Sequence, residues 1–179
     1  MRVLHVPAKV DAEVTPILSK HISDFAPHSS VVLVATAQHL QELDCAKKFL
    51  ESNGKKVFVG GQVLGCDPKP ALLLSKKADC FICIGSGRFH PLAIALETDK
   101  PVYIANPLSK TFEAISEEEK RRWIGRKKGR LAKAAAAETF GILVSTKTDQ
   151  FRIKEAPVDG QEGAPLFRRL TLARKPAAF

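Results

Sequence analysis

A chain of 179 residues with 45% hydrophobic side chains has the size and apolar content of one folded domain plus an appendage, which excludes disorder throughout. No apolar run reaches the roughly 18 residues of a transmembrane span, and no membrane partner is expected. The formal charge of +9 is concentrated in one stretch, and the opening Met1-Arg2-Val3-Leu4-His5-Val6-Pro7 is too soon broken by proline for a signal peptide, so a cytoplasmic protein is expected.

In chain order, Val3–Val6 reads as a short apolar strand. Val14–Phe25 follows as a helix, with Ile17, Leu18, His21, Ile22 and Phe25 at helical spacing. Val31–Ala35 is a continuous β-branched run, expected of a strand covered on both faces. Leu40–Asn53 repeats the helical period and stops at Asn53-Gly54. Lys56–Val59 is a third strand, Pro70–Lys77 a short helix, Phe81–Ile84 a fourth strand, Pro91–Leu96 a helix and Val102–Ile104 a fifth strand. This alternation predicts a three-layer α/β domain, a mostly parallel sheet with helices on both faces.

In such sheets a ligand binds beyond the carboxyl ends of the strands. The loops there are Thr36–His39, Gly60–Asp67, Gly85–Pro91 and Asn106-Pro107, where the chain also places its glycines and unusual polar residues.

After Asn106 the pattern changes. Ser116-Glu117-Glu118-Glu119 reads as a capping box, with Ser116 on the first free amides and Glu119 reaching back. The helix it opens is expected to run to Glu138, followed by a sixth strand, Phe140–Ser145. From Ala156 onward periodicity stops. Residues 1–110 are thus expected to form the α/β domain, 111–155 a linking helix and the first strand of an incomplete further domain, and 156–179 a weakly ordered tail.

The four cysteines are Cys45, Cys66, Cys80 and Cys83. Cys80 and Cys83 form a C-x-x-C inside a strand, where residues three apart face opposite ways and cannot share a metal. Both read as buried core thiols, and Cys45, in the second helix, reads the same way. Cys66 differs, because Leu64-Gly65-Cys66-Asp67-Pro68 is a glycine-flanked loop at the ligand end of the sheet. A thiol there is able to ligate iron, or it is a turn cysteine without a role.

Gly85-Ser86-Gly87-Arg88-Phe89-His90 lies where a dinucleotide fingerprint would lie but lacks the third glycine. It offers a close backbone approach, a guanidinium, an aromatic ring and an imidazole, although His90 could simply cap a helix begun at Pro91. The basic run Lys120–Arg130 is either a solvated helix face or a surface for RNA or an acidic protein.

Gly61–Asp67 followed by Ile84–Leu92 resembles the central domain of the diphthamide-synthesis family, the 2-(3-amino-3-carboxypropyl)histidine synthases. Thr36–His39, Lys100–Tyr103 and Gly141–Lys147 fit the same pattern in the same order, and the resemblance runs from about Val3 to about Ile153. It implies a four-iron four-sulfur cluster held by one cysteine from each of three similar domains, with Cys66 as the middle ligand. It also implies S-adenosylmethionine as the second cofactor, with Gln38, His39, Gly85, Gly87, Arg88 and His90 beside it, Arg88 and His90 as partners for a carboxylate. The implied reaction cleaves the Cγ–S bond reductively and adds the 3-amino-3-carboxypropyl group to a histidine of translation elongation factor 2.

The cysteines of the family's first and third domains have no counterpart here, and Asp149 stands where the family favours glycine. The expectation is a truncated component of the synthase, completed by a homodimer or a complementing chain. The alternative is a non-catalytic remnant, or a module binding elongation factor or RNA through Lys120–Lys133.

Overall fold

The computed structural model describes residues 9–137 together with two strands, Thr139–Gly141 and Leu172–Arg174. The chain divides into two compact units, Met1–Trp123 and Ile124–Phe179. The expected strand Val3–Val6 lies outside the described residues.

The first unit is a five-stranded sheet built from β1 (Ser30–Ala35), β2 (Lys56–Gln62), β3 (Cys80–Ile84), β4 (Val102–Asn106) and β5 (Thr111–Ala114) in the order β2-β1-β3-β4-β5. The first four strands run parallel, and β5 pairs antiparallel with β4 through Tyr103↔Ala114 and Ala105↔Phe112. The α/β reading is therefore correct, with an added antiparallel edge that the sequence pattern did not predict.

β1 and β3 lie inside the sheet, which is why they are continuous apolar runs. Their side chains alternate between two cores. Val31, Leu33, Ala35, Cys80, Ile82 and Ile84 pack with α1 (Thr15–Lys20) and α2 (Glu42–Ser52) through Ile17, Leu18, Leu43, Ala46 and Leu50. Val32, Val34, Phe81 and Cys83 pack on the other face with α3 (Lys69–Leu72) and α4 (Phe89–Ala95) through Ala71, Leu92, Ile94 and Ala95.

Several elements differ from expectation for local reasons. The helix expected over Val14–Phe25 stops at Lys20 and tightens into a 3-10 turn at Ile22–Phe25, where the His21 Nδ1 and Asp24 Oδ2 atoms lie 2.8 Å apart. The helix expected over Pro70–Lys77 likewise becomes α3 and a separate 3-10 turn, Ser75–Lys77. Cys45 is exposed, correcting the buried reading. The core face of α2 is Leu43, Ala46 and Leu50, and position 45 falls off that stripe.

α5 (Glu117–Ala136) begins as expected, with the Glu119 amide donating to Ser116 Oγ at 3.1 Å. Its continuation in the second unit, from Ile124 to Ala136, buries no residue. In that unit β6 (Thr139–Gly141) pairs antiparallel with β7 (Leu172–Arg174), so part of the presumed tail is a strand. The remainder of the expected sixth strand, through Ser145, lies outside the described residues.

Candidate functional site at the carboxyl ends of β1, β2 and β3

The chain leaves β1 toward one side of the sheet and returns from β2 across to β3 on the other, so the order of connection reverses between β1 and β3. The loops that follow these strands flank that reversal, where ligands gather in open parallel sheets.

The first loop is Thr36 and the 3-10 turn Ala37–His39. The Thr36 amide donates to Ile84 O at 3.0 Å, and the Thr36 side chain packs on Gly85 so tightly that a β-carbon there would sit 2.8 Å from Cγ2. Gly85 is glycine because the two loops touch. Gln38 is exposed. His39 is only 1% exposed, and among the described residues neither of its ring nitrogens has a hydrogen-bond partner. Burial lowers its pKa, against the opposing pull of Glu42, so the folded ring is neutral.

The second loop carries Cys66. A bulge in β2 shifts register between Leu33 and Val34, and Gly61 there has a φ of +78°. Val63 then re-enters the core, its amide on Ala35 O at 3.0 Å. Leu64 and Asp67 exchange backbone hydrogen bonds of 3.2 and 3.1 Å, closing a two-residue turn over Gly65 and Cys66. Cys66 is exposed, and Asp67 Oδ1 accepts from the Lys69 amide at 3.2 Å.

The third loop rests on the second. A β-carbon on Gly65 would lie 1.9 Å from Cε1 of Phe89, so that ring occupies the space a side chain would need. Gly87, with φ +115°, gives the loop its left-handed joint. The helix starts at Phe89, which puts His90 inside its first turn; the reading of His90 as a cap for a helix begun at Pro91 is corrected. His90 is half-buried, with its ring edge-on to Phe89 at 5.7 Å.

Arg88 is engaged within the chain through all three of its nitrogens. Nε and Nη2 donate to the two carboxylate oxygens of Glu119 at 2.9 and 2.7 Å, Nη1 to Glu113, and Nη2 to Ala114 O at 3.5 Å. These bonds raise the guanidinium pKa and lower that of Glu119. The Glu119 carboxylate therefore holds Arg88 instead of reaching back over its own helix start. The sequence pattern gave no sign that Glu113 and Glu119 hold Arg88, because nothing local marks a contact made 25 or 31 residues away.

Cys80 and Cys83 face the two opposite cores, as their spacing predicts. Burial pushes both thiols up to about 12, helped at Cys80 by Asp79, so neither is a thiolate at neutral pH. Among the described residues no three His, Cys, Asp or Glu side chains converge to hold a metal. On this face Cys66 is an exposed thiol, the donor type that ligates iron.

The family model for diphthamide synthesis proteins matches residues 1–156. The chain belongs to that family. It is 36% identical over 163 residues to the 2-(3-amino-3-carboxypropyl)histidine synthase of Pyrococcus horikoshii, an alignment covering 86% of this chain and 46% of the relative. The synthase of Methanocaldococcus jannaschii is 37% identical over 124 residues, covering 62% of this chain and 36% of the relative. Human synthase subunit 1 is 27% identical over 153 residues, with 81% and 34% covered.

The crystal structure of Dph2 from Pyrococcus horikoshii superposes with a TM-score of 0.75 at 36% identity, over 84% of this chain and 45% of that one. A structure of the same protein with a 4Fe-4S cluster gives 0.74. The chain thus spans less than half the length of these relatives. Among the described residues no helix is long and apolar enough to cross a membrane.

Proposed function

We propose that this chain acts in the first step of diphthamide biosynthesis, contributing Cys66 as one thiolate ligand of a four-iron four-sulfur cluster. The observation that carries the reading is the setting of the cysteines. Cys66 alone stands exposed on a closed turn beside the reversal point of the sheet, in a chain similar to a protein crystallised with a 4Fe-4S cluster. When bound, the cluster supplies the electron that cleaves S-adenosylmethionine at Cγ–S, freeing the 3-amino-3-carboxypropyl group for a histidine of elongation factor 2.

The chain's own residues hold and shape the site. Cys66 would ligate one iron, and the Phe89 ring, packed on the backbone of Gly65, would cover one side of that turn. Gln38, His90 and the backbone of Gly85 and Gly87 would face S-adenosylmethionine, with Arg88 and buried His39 on the border of the same site. A complementing synthase chain would provide the remaining thiolates, and self-association into a homodimer would bring two copies of Cys66.

Transfer of label from S-adenosylmethionine to elongation factor 2, with a complementing synthase chain present, tests this. Label is expected with the native sequence and absent with Cys66→Ala; equal labelling by both contradicts the reading.

A second reading rests on α5, whose residues from Ile124 to Ala136 carry Arg126, Lys127, Lys128, Arg130 and Lys133, with no acidic residue and no burial. Such a helix suits an elongation factor or RNA, with binding that falls steeply with salt. Charge reversal at Arg121, Arg122, Lys127 and Lys128 abolishes binding if this reading holds, and leaves it intact if it does not.

A further inference from the structure

We propose that Arg88 is a positioning residue that sets the Cys66 turn through Phe89, rather than a group that captures an anionic ligand. Two facts argue against capture. Three guanidinium nitrogens are already engaged, by two carboxylates and a carbonyl of the chain itself. The cluster of Arg88, Glu113 and Glu119 carries one positive and two negative charges, so an incoming carboxylate meets net repulsion and has to displace a bidentate pair.

The positioning role follows from what lies on either side of Arg88. Before it, Gly87 at φ +115° has nothing within 4 Å of where a β-carbon would sit, so no side-chain packing braces the loop at that glycine. After it comes Phe89, a residue 64% exposed that takes little hold from the core. That ring nonetheless lies against the bare backbone of Gly65, the residue before Cys66. The ring stays there because its backbone is fixed from two directions. α4 is anchored by buried Pro91 and Leu92, and Arg88 is tied to β5 and to the first turn of α5. With the tie removed, the Gly87 joint is free to turn, Phe89 lifts, and the turn that presents Cys66 loses its cover.

The inference gives a reason for the Arg88 contacts within the cluster reading but is tested without iron, so the two fail separately. The measurement is amide hydrogen exchange of Leu64 and Asp67, whose amides close the Cys66 turn, with Val32 and Ile82 of the sheet as internal references. Arg88→Met is expected to speed exchange at the turn about fivefold, the size of a typical coupling between groups in contact, with the references unchanged. Glu119→Gln gives the same direction if Arg88→Met does not fold, and Arg88→Lys restores part of the protection, since an ammonium pairs with a carboxylate but not bidentately. Phe89→Ala speeds exchange as much, and adding Arg88→Met to it brings no further increase. Turn exchange unchanged in both Arg88→Met and Glu119→Gln overturns the proposal. So does an equal rise in Lys100→Met, whose ammonium donates to Ser75 O and Ala78 O among the described residues, or additivity of Arg88→Met with Phe89→Ala.

Discussion

The Phe89 ring takes the place of a side chain on Gly65: a β-carbon there would lie 1.9 Å from Cε1 and 2.1 Å from Cδ1. Two loops far apart in sequence are thereby packed together at the shoulder of Cys66. Gly65 has an ordinary backbone conformation, so the restriction comes from its neighbour and not from its φ.

Gly65→Ala therefore displaces the ring. Because Phe89 is largely exposed and free to swing outward, the cost falls at the low end of overpacking, about 1 kcal/mol. Urea midpoints check this, and the double variant Gly65→Ala, Phe89→Ala is expected to recover the loss relative to Phe89→Ala alone.

Thiol accessibility divides the cysteines in two. Iodoacetamide is expected to modify Cys45 and Cys66 in the folded protein and to spare Cys80 and Cys83, which are buried and held protonated by a pKa pushed up to about 12. Intact mass should show two additions, rising to four after denaturation.

His39 makes stability fall in mild acid. Burial depresses its pKa below the ordinary 6.5, so the unfolded chain takes up the proton first. Stability from the neutral ring is present above about pH 6.5 and is lost as pH falls below it. His39→Leu removes two unsatisfied buried nitrogens, so it is expected to be neutral or stabilising by about 1 kcal/mol at pH 7 and to flatten that decline in urea titrations.

Asp79 acts in a lower window, its pKa also lowered, but by hydrogen bonds to the carboxylate instead of by burial. The Ser30 hydroxyl and amide, at 2.8 and 2.9 Å, and the Ser29 hydroxyl at 3.0 Å hold its carboxyl down to about 2 from 3.8. The stability it contributes is present above pH 3.8 and lost as pH falls through about 2, so Asp79→Asn should lose that acid-dependent component.

The parts of this fold that a sequence can show are those set by local period. β1 and β3 announce themselves as unbroken apolar runs, and the spacing of Cys80 and Cys83 alone puts them in opposite cores. β5 has one buried residue, Phe112, in Thr111–Ala114, so no alternation marks it; its pairing with β4 creates the strand. Cys45 shows the limit of a helical window, since only the phase against Leu43, Ala46 and Leu50 separates core from surface. The site divides the same way. Glycines and Cys66 mark the loops, whereas the burial of His39 and the contacts of Arg88 with Glu113 and Glu119 arise only when distant segments meet.

The central claim is that Cys66 ligates iron. Iron content, visible absorption and EPR spectra after anaerobic reconstitution test it most directly, comparing the native sequence, Cys66→Ala and Cys45→Ala, each with a complementing synthase chain. Iron bound by the native sequence and by Cys45→Ala but lost from Cys66→Ala is the predicted result. Iron retained in full by Cys66→Ala, with unchanged spectra, would contradict the account.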